Sequence, residues 1–170
     1  MSRLTHADEA GRARMVDVGA KKATRRKAVA SGRVRFGAEA YRMLKENRLA
    51  KGDALAVARL AGIQAGKRAF EWVPLAHPIP LDHLAVDIEL QDGSHEAVVT
   101  ATASARWATG VEMEALVAVS AACLSLYDMT KGVDRGITVT EILLLEKSGG
   151  RSGTWKKRKE KGRASRSRAT

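Results

Sequence analysis

Aromatic side chains are scarce in this chain: three Trp, two Tyr and two Phe among 170 residues, 4% in all. Its core must therefore be built from Ala, Val, Leu and Ile, within an apolar share of 45%. There is one cysteine, Cys123, so an internal disulfide is excluded and a reducing compartment is the better fit. Lying in an apolar run, Cys123 reads as a small buried hydrophobe. One cysteine and four histidines without ligand spacing give no zinc pattern. Met1 to His6 is polar and charged, with no apolar signal region. No apolar stretch reads as a membrane span, because 110–131 carries Glu112, Glu114, Asp128 and Lys131. These absences point to a soluble cytoplasmic protein.

What is present starts with charge. The net +11 is concentrated at one end: residues 151–170 hold nine Lys or Arg against the single acid Glu160, and the first 150 residues carry only +3. The basicity is a tail property, read as a solvated extension without regular structure. Nucleic acid is not the expected partner. The chain length fits one domain large enough for a real core.

Residues 1–23 lack a clean period and read as an irregular arm. Val29, Val34 and Phe36 within 26–36 predict a first strand. A short helix follows near 38–47, then a second over 53–70 with Asp53 as its N-cap. Pro74, Pro78 and Pro80 forbid regular helix and mark a rigid connection. Leu84, Val86, Ile88 and Leu90 alternate through a strand at 83–91, and Asp92-Gly93 signals a hairpin into a second arm that ends near Trp107. A long apolar helix spans about 110–131, with Gly132 as its stop. Ile137 to Leu145 is rich in branched residues and reads as a last strand. This order predicts an α+β, ferredoxin-like (βαββαβ) sandwich over 24–150, an antiparallel sheet with helices on one face. The long helix is apolar almost all round, more than one sheet face requires, which predicts an oligomer.

Several clusters carry chemical potential. Asp128 and Lys131 share a helical face three residues apart, and the acid opposes the helix dipole at that end. They read as a proton-transfer pair. His77 is flanked by prolines that fix its backbone, suiting proton transfer or a phosphate contact. Lys51 precedes the positive end of the second helix, where a bound anion would compensate it. Lys67, read on the inward stripe with Leu60 and Ile63, either snorkels or reaches a buried anion. Gly62 to Arg68 is not a Walker A loop: the glycine spacing is one residue short and Arg replaces Ser or Thr, so the small residues there read as close helix packing. Glu112 and Glu114 are ordinary first-turn acids by the dipole argument. Glu114 and Asp128 lie about 21 Å apart along the helix at 1.5 Å per residue. They can meet only if two such helices run antiparallel across a twofold axis. The Lys147–Gly153 loop, glycine-rich with cations, can wrap phosphate oxygens.

Together these segments closely resemble the cyclic pyranopterin monophosphate synthase family, the molybdenum cofactor biosynthesis protein C family. The resemblance runs from Leu4-Thr5-His6 to the Lys147–Gly153 loop. Its markers are Met15 to Val18, Lys51-Gly52-Asp53, Ala58 to Ala65, Leu75 to Pro78, Thr109 to Leu116, Tyr127-Asp128-Met129 and Lys147 to Gly150. It implies conversion of the cyclic dihydro-GTP intermediate, (8S)-3',8-cyclo-7,8-dihydroguanosine 5'-triphosphate, to cyclic pyranopterin monophosphate with release of diphosphate. It implies Asp128, Lys131, Lys51 and His77 as catalytic groups. Leu75, Ala76, His77, Met113 and Glu114 are implied as substrate contacts, with Lys67, Lys147 and Arg26 as anion contacts. It implies a hexamer, a trimer of dimers with sites at the dimer interface. It implies no required cofactor; magnesium accompanying the triphosphate stays open. The family commonly carries Cys where this chain has Ala76, so no thiol is needed there. A lysine crowded by other cations is expected to have a lowered pKa. The rivals are an RNA-binding ferredoxin-like module, for which the strands offer only Phe36 and Trp107 as base-stacking aromatics, and a regulatory oligomer without chemistry.

Overall fold

The computed structural model of the chain describes residues 11–158. Leu4, Thr5 and His6, and the tail from residue 159, lie outside the described residues. The elements are β1 (Thr24–Arg35), α1 (Ala38–Lys45), α2 (Ala54–Lys67), α3 (Ala69–Trp72), β2 (His83–Gln91), β3 (Glu96–Trp107), α4 (Glu112–Thr130), β4 (Thr138–Ser148) and β5 (Trp155–Lys156). They form an α+β fold with one five-stranded sheet in the order β2-β3-β1-β4-β5. Every pairing is antiparallel.

Alternation decides which sheet face is covered. Ala28, Ala30 and Val34 of β1 and Ala97, Val99, Ala101, Ala103 and Ala105 of β3 are all fully buried. They pair across the ladder as Ala28 with Ala103, Ala30 with Ala101, and Val34 with Ala97. Period-two side chains put this set on one face, and α4 lies across it. Small residues let the helix come close. At Gly32 a β-carbon would stand 2.6 Å from Val119 Cγ1, so a larger residue there would push α4 off the sheet.

The helices close on each other in the same way. A β-carbon on Gly62 would meet the Ala118 carbonyl oxygen at 2.8 Å. The buried line of α2 is Ala54, Ala58, Gly62 and Gly66, an i, i+4 ridge seated against α4. The close-packing expectation for these small residues holds. Asp53 caps α2 as anticipated, its Oδ1 accepting from the Ala56 amide at 2.9 Å. By length and composition α4 could cross a membrane, yet more than half of its most apolar window is buried inside the protein. Leu126 is wholly enclosed, and burying such a side chain contributes about 1.5–3 kcal/mol.

Four local expectations need correction. The second helix stops at Lys67, and a separate turn of helix, Ala69–Trp72, follows. Gly132 does not take the left-handed conformation of a glycine stop; α4 instead tightens into turns, with the Val133 and Asp134 amides both on the Thr130 carbonyl. The β2–β3 hairpin forms, but His95, not Gly93, adopts positive φ, at 51°. The tail is not structureless from residue 151: Trp155 and Lys156 add a strand to β4, opposite Lys147 and Glu146.

Candidate active site

The two ends of α4 carry separate clusters of functional side chains. At its N-terminal end is a cavity of about 670 Å³ lined by Leu75, Ala76, His77, Met113 and Glu114, and also by Glu112, Lys147 and Trp155. The proline-framed connection after α3 supplies one wall and the first turn of α4 another. The imidazole is held by the N-terminal arm: His77 Nε2 lies 3.0 Å from the Val16 carbonyl oxygen. A carbonyl only accepts, so Nε2 carries the proton, and in the neutral ring Nδ1 is the acceptor. Glu114 is only 4% exposed. Burial pushes its carboxyl up to about 7, with the neighbouring charge of Glu112 adding to the rise.

Beside it lies a cavity of about 940 Å³ with a cationic lining: Lys21, Lys22, Arg26, Lys147 and Arg151, around Ser148 to Ser152. Thr109, Gly110, Glu112 and Lys147 border both cavities. Arg26 is aimed by two carbonyl oxygens, Trp107 at 3.2 Å from Nε and Ala108 at 3.1 Å from Nη2. Its guanidinium lies so close to Gly150 that a β-carbon there would overlap Nη1, and Gly150 also holds φ at +71°. The left-handed backbone favours glycine, and a side chain there would displace the Arg26 head from the cavity. Lys147 Nζ sits 3.2 Å from Glu112 Oε1, at the junction of the cavities.

The third cluster is at the C-terminal end of α4. Asp128 Oδ2 accepts from Lys51 Nζ at 2.7 Å, and its Oδ1 is 2.7 Å from Lys131 Nζ. Lys51 also donates to the Asp128 main-chain oxygen at 2.8 Å, capping a last-turn carbonyl. Two cations thus complement the dipole that the acid opposes. Hydrogen bonds from Lys131 and then Lys51 hold Asp128 down at about 2. Asp128 in turn raises Lys131 above its ordinary value, the opposite of the lowering expected for a lysine crowded by cations. All three side chains are about half exposed. Next to them is a groove of about 510 Å³ lined by Val57, Ala61, Trp72 and Leu124 together with Asp128.

The fold therefore gathers Leu75, Ala76, His77, Met113, Glu114, Lys147 and Arg26 at one end of α4, and Lys51, Asp128 and Lys131 at the other. Lys67 joins neither group. It is exposed and lines a small hollow with Ile79, Asp82 and His83. The inward stripe assigned to it is wrong because Leu60 is 66% exposed; α2 buries its small residues instead. Sequence reasoning missed Lys21, Lys22 and Trp155 and dismissed Glu112, whereas Arg151 lies in the Lys147–Gly153 loop already read as a phosphate wrap. The one available signal was Trp155, a lone indole in a polar, basic segment. Among the described residues, no group of three His, Cys, Asp or Glu side chains converges as metal ligands would.

The MoaC family pattern matches residues 15–150. A cyclic pyranopterin monophosphate synthase of Thermomicrobium roseum is 51% identical over 166 residues, covering 98% of this chain and all of that protein. One from a Roseiflexus species is 54% identical over 153 residues, 90% of this chain and 97% of its own. Molybdenum cofactor biosynthesis protein 1 of Mus musculus is 49% identical over 152 residues, 89% of this chain and 24% of that longer protein. Matched over most of its length by both the family pattern and these relatives, the chain belongs to the MoaC family.

Proposed function

We propose that this protein is a cyclic pyranopterin monophosphate synthase of molybdenum cofactor biosynthesis, acting on (8S)-3',8-cyclo-7,8-dihydroguanosine 5'-triphosphate. The observation that carries the reading is the pair of adjoining cavities, one holding His77, Met113 and Glu114, the other lined by Lys21, Lys22, Arg26, Lys147 and Arg151. A substrate with a purine-derived ring at one end and a triphosphate at the other matches that division. Cations around the phosphates neutralise a polyanion that few other arrangements would accept. The reading calls for no resident cofactor, magnesium entering only with the triphosphate.

The residues divide the work by chemistry. Closing the cyclic phosphate joins a sugar-derived hydroxyl oxygen to the α-phosphorus, breaks the bond to the β-phosphate oxygen and releases diphosphate. The hydroxyl proton needs a base, and the cationic cavity carries the charge on the leaving group. Rearranging the ring moves protons on and off nitrogen and oxygen. Glu114, held near neutrality, and the Nδ1 of His77 suit that exchange. Asp128 at about 2 is a weak base at neutral pH and suits orienting Lys51 and Lys131. When a polyanion draws those lysines away, its basicity recovers.

One chain does not bring its two clusters together, so the reading includes a second copy. Antiparallel α4 helices about a twofold axis would set Lys51, Asp128 and Lys131 of one subunit beside His77 and Glu114 of the other, within a hexamer built as a trimer of dimers. The groove beside Asp128, with Leu124 and Trp72 on its lining more than half exposed, supports a covered face there. The finer fold assignment, ferredoxin-like, is supported by the order β2-β3-β1-β4 of the four main strands. The cytoplasm suits an enzyme fed by another cellular reaction. An RNA-binding role is disfavoured because Phe36 is buried and Trp107 packs against the core, leaving neither as a stacking platform. The test is direct: purified protein given the cyclic intermediate yields cyclic pyranopterin monophosphate and one equivalent of diphosphate. Intact substrate after prolonged incubation rejects the assignment.

A further inference from the structure

Trp155 is an anomaly. It stands in Gly153-Thr154-Trp155-Lys156-Lys157-Arg158, beyond the family pattern that ends at residue 150. Its neighbours offer nothing apolar, the indole is 45% exposed, and it is not among the side chains packed on the hydrophobic core. Yet the backbone around it is firmly placed. The chain reverses through Gly149, Gly150 and Gly153, all at positive φ, and returns along β4. Trp155 pairs with Lys147, the Lys157 amide donates to the Leu145 carbonyl at 2.8 Å, and Lys156 Nζ reaches Glu146 at 3.2 Å. This ladder carries the indole to the rim of the cavity that holds His77 and Met113.

We infer that Trp155 is an aromatic platform for the ring end of the substrate, a specificity-determining contact contributed by the segment after the family pattern. Three features support this. Among the described residues on the lining of this cavity, His77 is the one other ring beside its hydrogen-bonding and titratable groups. A purine-derived bicycle offers a flat face that an indole covers without reading its edges, leaving the edges to Glu114 and His77. The register opposite Lys147 sets the indole beside the junction of the two cavities, where ring and triphosphate of one substrate would meet. This rests on the nucleotide reading above.

The test uses the full chain with Trp155→Ala, Trp155→Phe and Trp155→Leu, assayed for turnover of the cyclic intermediate, with inorganic tripolyphosphate as a competitive inhibitor. Alanine should lower kcat/KM about 5- to 150-fold, mostly through KM, as base–aromatic stacking of about 1–3 kcal/mol predicts. Phenylalanine should restore most of the loss; leucine, apolar without a π face, should not. Inhibition by tripolyphosphate should hold within about twofold in all three, because the phosphate end is untouched. The inference is overturned if alanine matches the wild type, if leucine rescues as well as phenylalanine, or if tripolyphosphate weakens in parallel, which would mark a merely structural strand. A wild-type protein that turns over no intermediate would sink the functional reading itself, a result distinct from an active wild type with an equally active alanine variant.

Discussion

Gly66 of α2 lies against the main chain of Glu114: a β-carbon added there would stand 2.8 Å from the Glu114 carbonyl oxygen and 2.7 Å from Leu84 Cδ2. The carbonyl is helix backbone and cannot turn aside. Gly66→Ala gains up to about 1 kcal/mol of helix propensity, but overpacking costs about 1–3 kcal/mol. We expect a net loss, with Tm falling by about 2–8 °C for a chain of this size. Calorimetry checks it; an unchanged or higher Tm would show that the two helices can separate at no cost.

Glu114 links stability to pH. Its folded value, about 7, lies above the ordinary 4.5, so the folded state holds the proton more tightly than the unfolded chain. Its contribution is complete below about pH 4.5 and is lost as pH rises through 7. Glu114→Gln should remove that slope and stabilise the protein at pH 8, by at most about 3 kcal/mol. Urea titrations at pH 5 and pH 8 on both proteins measure the difference.

If each site takes Lys51 from one subunit and His77 from its neighbour, two inactive variants should repair one another. Lys51→Ala and His77→Ala should each lose about 100- to 10 000-fold in kcat/KM, the range for an acid–base group. Subunits mixed, dissociated and reassociated one to one should recover about a quarter of wild-type activity, since half the dimers are mixed and each mixed dimer has one intact site. No recovery, after mixed dimers are confirmed by native mass spectrometry, argues for sites complete within one chain.

Two truncations separate the parts of the basic tail. Ending the chain after Arg158 should leave turnover unchanged, because β5 and Arg151 remain. Ending it after Gly150 removes Arg151 from the cationic cavity and Trp155 from its neighbour. That chain should lose at least about 5-fold in kcat/KM. Steady-state kinetics on both decides the point.

Much of the fold could be read from periodicity. The alternation of Leu84, Val86, Ile88 and Leu90, the cap at Asp53 and the apolar length of α4 all express local rules, and each has its counterpart in the fold. Lys67 was misread for a physical reason. Hydrophobic size was taken to mean inward, but the α2–α4 contact is so close that only Ala and Gly fit, and Leu60 and Val57 are turned outward. β5 left no trace because a two-residue edge strand is held by its backbone ladder, which side-chain period does not record. Family resemblance grouped His77 with Lys51, Asp128 and Lys131 and named Met113 and Glu114 as substrate contacts; within one chain His77 lies instead with Met113 and Glu114, at the opposite end of α4 from the other three. Lys21 and Lys22 were missed because a lysine pair in an irregular arm has no local mark of the phosphate-sized hollow beside it.

The alanine-lined interior imposes an asymmetry on how this protein tolerates change. Most cores fail when a side chain is trimmed and a void opens. Here Ala28, Ala30, Ala58, Ala101, Ala103, Ala105, Ala118 and Ala122 have nothing to trim. Nearly every replacement adds atoms where no room exists. Random mutagenesis should therefore find its damaging hits through crowding, and the permissive positions should collect at the rims, where Leu60, Leu124 and Trp72 already stand in the open.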